Sequence, residues 1–197
     1  MGFMLLLAAI SAGCGRDAPT PAASSGASGL LPAANTRSLC VENHDAFLVA
    51  RLRGAIDADI DWRGKDLTCE GGMRPDGRGV RAAFAGELPS ASDGPPHRLR
   101  FIFGVGLEDT APGDAQVLPV NLTLILEGEK TLYSTRGDDR CAAEITDRRP
   151  LSETDRSLDR VSVRGYCLAP AEDASGELRL LVPTFEFTGI IRTGEDP

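Results

Sequence analysis

Apolar residues recur at every second position over most of this chain beyond Ser38, and that pattern confines it to β-strands with one buried face. Val120, Leu122, Leu124 and Leu126 follow this spacing, as do Leu99, Phe101, Phe103 and Val105, and again Val80, Ala82 and Phe84. Ile56, Ala58, Ile60 and Trp62 alternate with Asp57, Asp59 and Asp61. Further strands are expected over 46–53, 131–135, 140–146, 160–168 and 176–191, the last bent or placed at an edge by Pro183. Clusters of Gly, Pro and Asp separate the runs. Arg74-Pro75-Asp76-Gly77 suits a tight reversal, 127–130 reads as a hairpin turn, and the Gly71-Gly72 pair also reads as a turn. The charged stretch 147–160 departs from the pattern and reads as a surface loop or short helix, with Ser152 as a possible N-cap. Eight or nine short strands without long alternating helices predict an all-β fold. An antiparallel β-sandwich is expected, with a β-barrel as the alternative.

Ahead of this body the composition changes. From Gly15 to about Thr36 the chain is mostly Ala, Pro, Ser and Gly. Such a stretch buries too little surface to offset its ordering entropy, so a disordered tether is expected. A flexible coil of this kind spans roughly 5 to 6 Å times the square root of its length, some tens of ångströms in all.

The first ten residues are apolar and uncharged. They are too few to cross a bilayer, which takes about 20 helical residues. Ile10-Ser11-Ala12-Gly13-Cys14 then leads small residues into a cysteine. This segment resembles the signal peptide and lipobox of bacterial lipoproteins. Ser11 stands where an aliphatic residue is usual, and no Lys or Arg precedes the apolar run; a start codon further upstream would supply one. The resemblance implies cleavage after Gly13 and lipid, palmitate included, on Cys14. It also implies an address: Gly15 after the cysteine favours the outer membrane, facing the periplasm. The expected organisation is a signal peptide at 1–13, a lipidated cysteine and linker at 14–36, and one β-rich domain at 37–197.

Once Cys14 is assigned to the anchor, Cys40, Cys69, Cys141 and Cys167 form an even set, and an exported domain uses such a set for disulfides. Three connectivities are possible. Pairing Cys40 with Cys69 and Cys141 with Cys167 closes two local loops and is the expected arrangement, each loop stabilising the fold by roughly 3 to 4 kcal/mol. No CxxC pair is present, which argues against a thioredoxin-like site or a zinc ribbon.

The formal net charge of -8 argues against nucleic acid, whose phosphates need a basic face, and against adsorption to anionic lipid. Ten aromatics, seven Phe, two Tyr and one Trp, are few for a surface of stacking rings. Asp57, Asp59 and Asp61 resemble the start of a calcium loop, but Trp62 and Thr68 stand where an EF-hand needs Gly and Glu. The three carboxylates are therefore expected on one solvated strand face, answered by Arg51, Arg53, Arg81, Arg98 or Arg100, or else used to bind a partner. His44 and His97 are the only histidines, and neither lies in a nucleophile motif.

These readings lead to a non-enzymatic expectation without metal or cofactor. The chain is expected to be a lipid-anchored binding or accessory module acting on an envelope protein. Two alternatives stand beside it: an inhibitor or immunity protein against a periplasm-acting hydrolase, and a hydrolase of envelope polymers.

Overall fold

A computed structural model describes residues 46–88, 97–106, 117–129, 131–154 and 157–193. The expected leader and tether, with Cys14, Cys40 and His44, lie outside the described residues. Twelve strands follow in chain order: β1 (Phe47–Gly54), β2 (Ala58–Arg63), β3 (Thr68–Met73), β4 (Gly79–Glu87), β5 (Arg98–Gly106) and β6 (Leu118–Glu127) come first. Then come β7 (Thr131–Ser134), β8 (Cys141–Pro150), β9 (Leu158–Cys167), β10 (Ala171–Glu172), β11 (Arg179–Leu181) and β12 (Phe185–Arg192). The fold is all-β, and every strand pairing is antiparallel. Among the described residues the one helical element is a 3-10 turn, Gly64–Asp66, and no helix is long and apolar enough to cross a membrane.

The alternation builds the core directly. In β6 the residues at 118, 120, 122, 124 and 126 are buried and those between them are not; β5 repeats the pattern with Leu99, Phe101, Phe103 and Val105. The pairing order runs β3-β4-β5-β6-β7-β10-β11-β1-β12-β9-β8, with β2 on β1. One edge of β6 is shared: residues 118–120 pair with β8, and 123–126 pair with β7. The sheet thereby folds over itself into two facing layers, a sandwich-like arrangement. Phe103 meets Phe185 and Phe187 across the layers at 4.8 Å between ring centroids, and Phe84 meets Phe187 at 5.0 Å. Each such ring contributes roughly 2 kcal/mol by leaving water. The single tryptophan seals one end: its ring packs edge-on against Phe101 at 5.7 Å, and its Nε1 donates to the Glu87 carbonyl at 2.8 Å.

Among the described residues twelve strands rather than eight or nine are present, for three local reasons. β3 was hidden by Gly71-Gly72, which is not a turn but lies within the strand. A Cβ on Gly71 would collide with the Ile190 carbonyl oxygen, so glycine allows β3 to lie close against β12. The run 176–191 is broken at Val182–Thr184, around Pro183, into β11 and β12, and β1 pairs with both pieces. The third is β10, only two residues long and too short to show a period.

The charged stretch 147–160 also differs from expectation. β8 continues through Pro150 and β9 resumes at Leu158. Cross-strand ion pairs, Arg148 with Asp159 at 2.7 Å and Arg160 with Asp147 at 3.3 Å, extend the hairpin where apolar burial stops. Ser152 caps no helix; its Oγ accepts from the Thr154 amide at 3.2 Å in the connecting turn.

Cys141 and Cys167 stand directly opposite each other on β8 and β9 and form a disulfide. Their separation of 26 residues corresponds to roughly 3 to 4 kcal/mol of loop-closure stabilisation. Cys69 is buried and also disulfide-bonded.

Candidate functional site

The three aspartates do not act as one ladder. Asp57 precedes β2, and its Oδ1 accepts from the Gly54 amide at 3.3 Å. Asp59 pairs with Arg53 at 2.9 Å, and Asp61 pairs with Arg63, two residues along the same strand, at 2.6 Å. Of the expected partners, Arg53 alone is engaged with them. Arg98 and Arg100 turn to Glu127, while Arg81 and Arg100 flank Glu70, because those residues sit on β3 to β6, strands that pair with one another and not with β2. Asp59 and Asp61, without Asp57, line a shallow polar cleft of about 530 Å³ with Trp62, Asp66, Glu87 and Arg98. Among the described residues no group of three or more His, Cys, Asp or Glu is placed to hold a metal ion.

His97 lies on the surface, half exposed, with its Nδ1 3.0 Å from a Glu129 carboxylate oxygen. The contact is exposed to solvent on both sides, and no described hydrogen bond joins His97 to a hydroxyl or thiol nucleophile.

A second depression lies on the outer face of the layer made by β8, β9, β12 and β1, and strand register explains it. Along β9, Val161, Val163, Gly165 and Cys167 are buried, while Ser162, Arg164 and Tyr166 alternate with them. In β12, Phe185 and Phe187 are buried and Glu186 between them is exposed. Register then aligns Glu144 of β8, Arg164 of β9, Glu186 of β12, Val49 of β1 and Asp61 of β2 in one row across five strands. At Gly165 the sheet carries no side chain. A Cβ there would collide with the Phe185 ring and lie 2.5 Å from the Ala142 carbonyl oxygen. Beside this point on the outer face lies a groove of about 420 Å³, walled by Val49, Val117, Tyr166 and Thr184 and by the charged trio Glu144, Arg164 and Glu186. Tyr166 and Val117 are 42% and 65% exposed, so the groove is apolar and open to solvent.

The charges in the groove are not equally committed. Arg164 donates from Nε to Oε1 of Glu144 at 3.1 Å, and its Nη2 donates to the same oxygen at closer range. The hydrogen bond to Glu144, then the charge of Glu144, and more weakly that of Glu186, hold the guanidinium above its ordinary pKa. It is cationic at every relevant pH. Glu186 accepts no hydrogen bond from the described residues, although it neighbours Arg164 across the strands. None of these groove residues stood out in the sequence. The available signal was Tyr166, an aromatic that alternation places outward; the grouping of Glu144, Arg164 and Glu186 depends on register and has no local trace.

No family model matches the chain, and comparison with the curated proteins and with the solved structures finds no match to it either.

Proposed function

We propose that this chain is a non-catalytic binding module, held at the bacterial outer membrane by lipid on Cys14 and facing the periplasm, that acts by engaging an envelope protein. The observation that carries the binding role is the groove beside Gly165: an open, mostly apolar depression with a few fixed charges, on a rigid sheet pinned by the Cys141–Cys167 disulfide. Sites of this size and character commonly receive side chains or small ligands. The address rests on the resemblance of residues 1–15 to a lipoprotein leader.

Crosslinking in intact cells, followed by capture of the full-length protein, tests the role. One partner at near-stoichiometric yield is expected, lost on Tyr166→Ala. Recovery of nothing above background overturns the binding role. If the recovered partner is a hydrolase silenced by the domain, the module is an immunity protein. The anchor has its own test: Cys14→Ser moves the protein from the membrane fraction to the soluble fraction, and an unchanged distribution contradicts lipidation.

A further inference from the structure

We propose that the groove beside Gly165 seats one apolar side chain of the partner protein, and that an adjacent lysine or arginine of that partner pairs with Glu186. This deepens the binding role above and rests on it.

The backbone around Gly165 is already paired on both sides, to β8 through Ala143 and to β12 through Phe185. An incoming segment therefore finds no free strand edge here, and recognition falls to side chains. The walls, Val49, Val117 and Tyr166, remove an apolar or aromatic group from water, and the volume of about 420 Å³ suits one such anchor. Charge then selects its neighbour. Arg164 directs two donors to Glu144, so an incoming anion would compete with a carboxylate already in place and would also meet Glu186. A cation meets weaker competition: Arg164 faces Glu186 across the strands, but its hydrogen bonds go to Glu144, Glu186 holds no hydrogen bond among the described residues, and the trio carries one more negative than positive charge. The net charge of -8 adds long-range attraction of the same sign.

The probes are two short capped peptides, acetyl-Gly-Trp-Lys-Gly-amide and acetyl-Gly-Trp-Glu-Gly-amide. They are titrated into the full-length protein in detergent while backbone amide NMR shifts are followed. The lysine peptide is expected to shift the amides of Arg164 to Tyr166 and of Glu186, and to bind at least about tenfold more tightly than the glutamate peptide. That preference is expected to fall below about twofold with Glu186→Gln, and to be unchanged with Asp59→Asn in the separate polar cleft. Rising salt erodes it. Absence of shifts at the groove, equal binding of the two peptides, or a preference that survives Glu186→Gln would each overturn the proposal. A failed cellular capture with the peptide preference intact removes the protein partner and leaves the groove chemistry standing. A successful capture without the preference does the reverse.

Discussion

The ring of Phe185 occupies the space that a side chain on Gly165 would need, across the paired strands β9 and β12. The same ring is part of the aromatic core, 4.8 Å from Phe103. One glycine thus makes room for the aromatic core between β9 and β12. Gly165→Ala is expected to destabilise the domain by about 2 to 3 kcal/mol through overpacking. A shift of the denaturation midpoint to lower denaturant at unchanged slope checks this effect; an unchanged midpoint contradicts the collision.

Trp62 gives the fold a built-in reporter. As the chain's one tryptophan, buried at 5% exposure, its fluorescence follows global unfolding without labelling. Trp62→Phe removes the bond to the Glu87 carbonyl and part of the packing on Phe101, and is expected to cost about 2 to 4 kcal/mol. Circular dichroism, which does not depend on the indole, measures that loss. A change below about 0.5 kcal/mol would show that the indole is not holding the end of the sandwich.

Cys141→Ala with Cys167→Ala removes the crosslink between β8 and β9. A loss of roughly 3 to 4 kcal/mol is expected from the loop it closes. Reduction of the native protein should lower its stability, whereas the double variant should lack that part of the response to reductant. Equal stability of variant and native protein under oxidising conditions would rule out a structural contribution from this bond.

The turn between β10 and β11 is expected to respond to acid. The Ser175 hydroxyl, donating to Oδ2 of Asp173 at 2.7 Å, holds that carboxyl below its ordinary value of 3.8; burial opposes this, and the amide of Leu178 assists by donating to Oδ1 at 3.1 Å. A carboxyl depressed in the folded state binds fewer protons there than in the unfolded chain. Its stabilisation is therefore present above about pH 4 and is lost as pH falls through the lower folded value. The Leu178 amide shift should titrate with a midpoint below 3.8, and Asp173→Asn should remove the transition. A midpoint at or above the ordinary value contradicts the hydrogen bonds.

Much of the fold was legible because burial on one face writes a period of two into the sequence, as in β5 and β6. Where burial did not govern, reading failed for definite reasons. Gly71 and Gly72 carry the signature of a turn, yet Gly71 serves close approach of β3 to β12. Arg148 and Arg160 extend a hairpin through ion pairs rather than apolar alternation. The acidic triplet was visible, but its partners depended on which layer each arginine joined. The groove was least legible, since Glu144, Arg164, Glu186 and Val49 meet through strand order alone.

The most direct measurement of the central claim replaces Tyr166 with a benzophenone amino acid in the full-length protein and irradiates intact cells. A control carries the same group in place of Leu132, an exposed residue on β7 well outside the groove. One discrete adduct from position 166, weakened by Glu186→Gln and absent from position 132, is the predicted result. No adduct from position 166, or the same adduct from both positions, would contradict a binding module that works through this groove.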